Sequence, residues 1–264
     1  MNLVSPMAQM RHLAQRAWAA VPIAAHRQCV VCGRRVQRFL PYRDHWPDMP
    51  PVLTELEVVG SDIENFECPA CGCHDRERHL WLYLQAAGLE HQFEDARILH
   101  MAPERHLQRL IARTRPAEYL MGDLYPTRSD IRRMDLTQLD YTQGHFDFVI
   151  ANHVLEHVND DVKALREIFR VLRPGGHAIL QTPFALRLPY KREDASIQTA
   201  ADRLQHYGQE DHCRLYGADF ASFVADFGFV PRTATHASLL HSVDAKRMGV
   251  NVQEPFLLFG KPDS

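Results

Sequence analysis

No apolar run in this 264-residue chain approaches the roughly 20 residues that a membrane-spanning helix needs. The stretch Met1 to Gln28 lacks the compact hydrophobic block and small-residue cleavage site of a secretory leader. Its scattered Arg11, Arg16 and Arg27 instead suit a helical segment over residues 1–27, and a cytoplasmic location is expected. Charge of one sign is also missing. Lysine plus arginine number 30 against 33 aspartate plus glutamate, a net charge of −3. A dedicated nucleic-acid binder usually carries a basic excess, so this balance and the scarcity of lysine disfavour RNA as a partner. Arginines do cluster at Arg34, Arg35, Arg38 and Arg43, and Arg105, Arg109 and Arg113 recur every four residues, as a solvated helix face does. No internal repeat or low-complexity tract is present. What remains is an ordinary globular composition, 45% apolar and 24% charged, long enough for one full core and a small appendage.

Cysteine is sparse but concentrated. Of 6 cysteines, Cys29, Cys32, Cys68, Cys71 and Cys73 all precede residue 74, while Cys213 stands alone. Cys29-Val30-Val31-Cys32-Gly33 and Cys68-Pro69-Ala70-Cys71-Gly72 are matching Cys-x-x-Cys-Gly turns. The spacing lets both sulfurs of a pair reach one ion, and the glycine can take the positive φ that the turn needs. Without an export signal, two such pairs point to metal rather than disulfides. Four thiolates suit a closed, structural zinc site with no open position for chemistry. A zinc-ribbon-like module is therefore expected over residues 28–74, with strand-like pieces at Val36 to Leu40 and Leu56 to Val59. Buried free thiols or a redox pair are the alternative, and Cys73 is expected to be a bystander.

After residue 75 the pattern changes to alternating strand-like and helix-like segments, the signature of an α/β domain with a mainly parallel sheet. Strands are expected at Ala96 to Met101, Glu118 to Met121, Phe146 to Ala151, His177 to Thr182, Phe229 to Thr233 and Pro255 to Gly260. Val162, Leu165, Ile168, Phe169 and Leu172 recur at spacings of three and four, which predicts an amphipathic helix capped by Asn159 and stopped by Pro174-Gly175-Gly176. A second helix is predicted from Gly217 to Phe227. Tyr190 to Tyr216 is polar, histidine-rich and without a clear period, as a loop over an active site reads.

Ile98-Leu99-His100-Met101-Ala102-Pro103-Glu104-Arg105-His106-Leu107, then Gly122-Asp123-Leu124, then the run from Phe146 through Asn152-His153-Val154-Leu155-Glu156-His157 to Val158, then Val171-Leu172-Arg173-Pro174-Gly175-Gly176 occur in order. Over roughly residues 90 to 260 this resembles the class I S-adenosylmethionine-dependent methyltransferases, most closely the branch called type 11. The resemblance implies a Rossmann-like seven-stranded domain over residues 75–264, with its sheet order and antiparallel final strand. It also implies S-adenosylmethionine as cofactor, bound by His100, Ala102, Glu104, Asp123, Leu124, Asp135, Leu136 and Asn152. Asp123 matches the acid that holds the ribose hydroxyls, and Asp135-Leu136 the position beside the adenine ring. In the family the loop after the first strand carries glycines; here Ala102 to His106 has none. Taken singly, Asp123 and Asp135 can equally be turn or helix caps.

Methyl transfer from a sulfonium needs mainly positioning, and a general base only if the acceptor must lose a proton. His153 is the first candidate for that base. His206 and His212 are the further catalytic candidates, beside Gln209 and Asp211 on the substrate side. Two other classes fit the same residues. His153, Glu156 and His157 form the H-x-x-E-H pattern of one zinc peptidase class, and the glycine-free loop suits a catalytically inactive binding protein. The methyl acceptor is open, with a small molecule favoured over RNA.

Overall fold

A computed structural model describes residues 14–21 and 25–263 of the chain. Residues 14–19 are helical, but the helical segment expected over 1–27 does not run on: 20–21 and 25–26 are irregular and Arg27 lies in a strand, while 1–13 and 22–24 lie outside the described residues. Two short strands, β1 (Arg27–Gln28) and β2 (Arg35–Val36), pair antiparallel around the first cysteine turn. A third, β3 (Val58–Val59), does not join them. The strand-like pieces foreseen at 36–40 and 56–59 are thus shorter and lie in different sheets.

The main sheet begins with β4 (Arg97–Met101), β5 (Glu118–Asp123) and β6 (Arg132–Arg133), then crosses back to β7 (Phe146–Ala151) and β8 (Leu172–Ile179). After β8 the chain forms β9 (Phe184–Ala185) and β10 (Tyr216–Gly217), and returns to the main sheet as β11 (Val230–Pro231) and β12 (Leu258–Gly260). The seven strands lie in the order β11-β12-β8-β7-β4-β5-β6, and β12 runs antiparallel to both neighbours. This is a Rossmann-like α/β sheet of seven strands with an antiparallel final strand, as the resemblance implied. β9 pairs with β10 on one side and with β3 on the other, so a small second sheet ties residues 58–59 to the segment after β8.

Period-two alternation splits the strand side chains between two cores. On one face Leu99, Met101, Val149 and Ala178 meet Ala164, Leu165 and Ile168 of the helix Asp161–Val171, together with Phe220 and Val224. On the other, Ile98, Phe148, Ile150 and Ile179 meet Leu80, Tyr83 and Leu84 of the helix Asp75–Ala86. Covering both faces is what a parallel sheet requires. Arg105, Arg109 and Arg113 do form an exposed face, on and just before the helix Leu107–Arg113.

Several boundaries differ from expectation for identifiable reasons. The helix cap is Asp160, whose carboxylate accepts the Lys163 N–H at 2.8 Å; the side-chain oxygen of Asn159 instead faces the Cys213 thiol at 3.6 Å. Pro174-Gly175-Gly176 does not separate helix from strand but lies within β8, with Gly175 at φ 70°. Gly217 belongs to β10, so the following helix spans only Phe220–Ala225. The segment 190–216 is not a featureless loop. It holds the helix Ala200–Tyr207, capped by Thr199, and buries Tyr207 against Val52, Ala185 and Leu215.

Candidate functional site

β4 and β7 are adjacent strands whose following connections leave in opposite directions across the sheet, the place where open α/β sheets bind ligands. Just past the end of each strand stands a non-glycine residue in the left-handed region, Ala102 at φ 44° after β4 and His153 at φ 55° after β7. Each is pinned by its own N–H, Ala102 to the Gly122 carbonyl and His153 to the Gln181 carbonyl, both at 2.7 Å. Ala102 thus takes the turn conformation for which a glycine is ordinarily chosen. Glu104 then points back into the crevice. It accepts from Asn152 Nδ2 at 2.5 Å, lies 3.3 Å from His100 Nε2, and faces Arg76. Burial opposes ionisation of Glu104, but the hydrogen bond and charge of His100 and the Arg76 guanidinium outweigh it and hold the carboxyl below its usual range. His100 is anchored by Tyr119 at 2.8 Å.

In this crevice Asn152 Oδ1 is buried without a hydrogen-bond partner, while Glu104 Oε2 and His100 Nε2, 3.3 Å apart, have no partner beyond each other. Unpaired buried polar atoms are costly, and a polar ligand would satisfy them. At the end of β5, Asp123 uses Oδ1 to accept the Tyr125 N–H at 2.7 Å, leaving the second carboxylate oxygen to a ligand. Leu124 beside it is 40% exposed. Asp135 caps a turn through the Thr137 N–H and hydroxyl, and Leu136 is buried in the core. The sequence candidates around residues 100–104, 123–124 and 152 therefore gather at the strand ends. At 135–136 the side chains are otherwise engaged, so a ligand there would meet backbone.

His153 is clamped between Glu156 and Glu254, at 3.4 Å from each. Burial works against its charged form, yet the two carboxylates prevail and raise its pKa to about 9. A ring held as a cation is poorly suited to accept a proton, which counts against the base role expected of it. Nor does it share a helical face with His157, because Leu155–His157 is a 3-10 turn and His153 precedes it in the left-handed region. The chelating pair of the peptidase pattern is not formed. His206 is exposed on its helix, away from these groups, whereas His212 is buried beside His157 with ring centroids 4.7 Å apart.

Next to the strand ends lies a cavity of about 590 Å³. It is lined by Tyr42, Trp46 and Phe66 from the N-terminal residues and by His153, Glu156, His157 and His212. Arg76, which also lines it, links the cavity to Glu104. Sequence reasoning missed Tyr42, Trp46 and Phe66, and missed Arg76 and Glu254. None of these residues sits in a motif, and Glu254 reaches His153 only because β12 folds back along β8. It also missed Glu77, whose carboxylate accepts the N–H groups of His106 and Leu107 at 3.1 and 3.2 Å and so caps the helix that follows the crevice loop.

The cysteines form a separate centre. The Sγ atoms of Cys29, Cys32, Cys68 and Cys71 all lie within 4.8 Å of one another. Zinc at about 2.3 Å from each sulfur sets them about 3.8 Å apart, so the four fit one tetrahedral ion with slight contraction. The two turns match: Gly33 donates to the Cys29 carbonyl and Gly72 to the Cys68 carbonyl, both at 2.8 Å, with φ of 72° and 83°. Cys73 is buried with its sulfur 3.4 Å from that of Cys29, and the Arg78 guanidinium approaches it at 3.9 Å.

A methyltransferase-domain family model matches residues 104–180, from the crevice loop to the end of β8. A probable S-adenosylmethionine-dependent methyltransferase of Mycolicibacterium smegmatis is 42% identical over 59 residues, which is 22% of this chain and 23% of that protein. The chain thus spans about a quarter of the length of that relative. Among solved structures, the YcgJ protein of Bacillus subtilis is similar at 14% identity over 70% of this chain and all of that one, with a TM-score of 0.46. An S-adenosylmethionine-dependent methyltransferase of Mesorhizobium loti gives 19% identity, 67% and 94% coverage and a TM-score of 0.46. The crevice loop, β7 and β8 are thus the part of the chain that is similar to a methyltransferase domain.

Proposed function

We propose that the chain transfers a methyl group from S-adenosylmethionine to a small molecule held in the 590 Å³ cavity. The observation that carries this reading is the placement of that cavity. It meets the strand-end crevice at His153 and Arg76, beside the loop matched to the methyltransferase family. Its volume is typical of small-ligand sites, and the net charge of −3 offers nucleic acid little attraction.

In this reading Asp123 holds the ribose hydroxyls with its free carboxylate oxygen, and Leu124 and the backbone of Asp135 and Leu136 flank the adenine. Ala102, His100, Glu104 and Asn152 shape and satisfy the rest of the crevice. The cofactor supplies a methyl group on an already activated, positively charged sulfur, so the protein's share is positioning and exclusion of water. Tyr42, Trp46 and Phe66 provide apolar surface for the acceptor, and His212 lines the same cavity. His153 acts as a fixed cation that sets Glu156 and Glu254.

We assign Cys29, Cys32, Cys68 and Cys71 to a structural zinc ion. Residues 28–74 are then a zinc-held module that covers the acceptor side of a domain spanning 75–264, with residues 1–27 as a leading segment. Incubating the protein and methyl-labelled cofactor with separated small-molecule and RNA fractions of a cell extract tests the acceptor. Label in the small-molecule fraction is expected; label confined to RNA would overturn the assignment.

A further inference from the structure

We propose that Glu156, His157 and His212 form a second, non-cysteine metal site that holds a divalent transition-metal ion, zinc by its donor set, with an open position facing the cavity. One ligand atom from each of the three lies within 4.8 Å of the others, and all three residues line the cavity. Glu156 and His212 are buried, at 1% and 6% exposure.

The surroundings of the three side chains carry the argument. A histidine that ligates a metal through one ring nitrogen characteristically gives the other N–H to a carboxylate or a carbonyl, which fixes the tautomer and the ring orientation. Both histidines do this through Nδ1. His157 faces the Asp211 carboxylate at 3.3 Å, and His212 the Tyr207 carbonyl at 3.2 Å. Each Nε2 is left for an ion. The carboxylate is oriented as well: Glu156 Oε2 accepts from the Thr182 hydroxyl at 3.0 Å, and Oε1 lies 4.0 Å from His157 Nε2.

The backbone is fixed with equal care. The Cys213 N–H bonds the Glu156 carbonyl at 2.7 Å, which brings His212 against the turn that carries Glu156 and His157. Arg214, fully buried, donates to the carbonyls of Leu155 and Asn159 at 2.8 and 3.0 Å and locks that turn. Two imidazoles and one carboxylate with a vacant fourth position is a zinc set that leaves room for an exogenous ligand. The cavity side of the ion is where an oxygen or nitrogen atom of the acceptor binds. That use rests on the methyl-transfer reading, whereas the metal site itself does not.

The test uses the full chain, first loaded with zinc at its cysteines and then titrated with further zinc or with cobalt(II). A second equivalent is expected to bind, with cobalt giving visible bands free of thiolate charge transfer. His212→Ala and Glu156→Gln should each abolish that equivalent. Asp211→Asn, which keeps all three ligands, should weaken it about 10- to 100-fold. His91→Ala, a change at an exposed residue, should leave it intact. Absence of a second equivalent in the unaltered protein, or its persistence at full strength in His212→Ala, would overturn the proposal. S-adenosylhomocysteine binding measured on the same samples keeps the two readings apart: its failure with metal bound speaks against methyl transfer, and its success without metal speaks against the site alone.

Discussion

Asn152 donates to the carboxylate of Glu104 at 2.5 Å, joining the loop after β7 to the loop after β4 although 48 residues separate them in the chain. The bond spans the point where the sheet reverses direction, and both residues are buried there. Replacing Asn152 by Ala leaves Glu104 with one fewer partner for its charge. Hydrogen bonds to charged groups contribute about 1.5 to 3 kcal/mol, so urea unfolding of Asn152→Ala should show a loss of that order. A loss below about 0.5 kcal/mol would mean that the two loops are held together by something else.

Ala102 occupies a left-handed conformation at φ 44°, which costs an L-residue roughly 1 to 2 kcal/mol. Glycine relieves that cost while adding freedom to the unfolded chain, worth about 0.5 to 1 kcal/mol in the opposite direction. Ala102→Gly should therefore be neutral to stabilising, by up to ~1 kcal/mol, with binding of S-adenosylhomocysteine retained. A clear destabilisation on thermal melting would show that the Ala102 methyl group makes a packing contribution larger than its backbone cost.

Burial raises the carboxyl of Glu77 to about 7 and that of Asp75 to about 6, at the start of the helix that roofs one face of the sheet. A carboxyl raised in the folded state is neutral there at pH values where the unfolded chain has already ionised. The folded protein then binds more protons, and stability falls as pH rises from about 4.5 through about 7. For Glu77 the change is roughly 3 kcal/mol between pH 5 and pH 8. Glu77→Gln should flatten that part of the profile. An identical slope in wild type and variant would show that Glu77 ionises normally.

Much of the sheet was readable because each parallel strand is an apolar run bounded by turns. β7 begins and ends where its pattern does, and β4 lacks only Ala96 at its start. The strand order came from the family likeness, since periodicity says nothing of which strands are neighbours. The pairing of Val58–Val59 with Phe184–Ala185 left no local trace, because two-residue strands have no period. Arg78 shows the same limit. It lies outside every motif, yet it is fully buried and donates to the carbonyls of Cys73, Met248 and Gly249, stitching the cysteine module to the far end of the chain. The crevice residues were legible from their motifs. The rest of the cavity lining was not, because Tyr42, Trp46 and Arg76 reach His212 only through tertiary packing.

Removal of the zinc ion assigned to the cysteines should unfold the cover of the cavity rather than the sheet. Cys68→Ser, or treatment with a strong chelator, is expected to open residues 28–74 to thermolysin while the segment from β4 onward stays resistant. Cleavage throughout the chain at one rate would show instead that module and sheet unfold as one unit.

The reading as a methyltransferase is tested most directly by calorimetric titration of the protein with S-adenosylmethionine and S-adenosylhomocysteine, beside an Asp123→Ala variant. Micromolar binding is expected in the wild type, weakened at least ~10-fold when the ribose acceptor is removed, in line with the worth of hydrogen bonds to a charged group. No binding to the folded protein, or equal binding by Asp123→Ala, would contradict it.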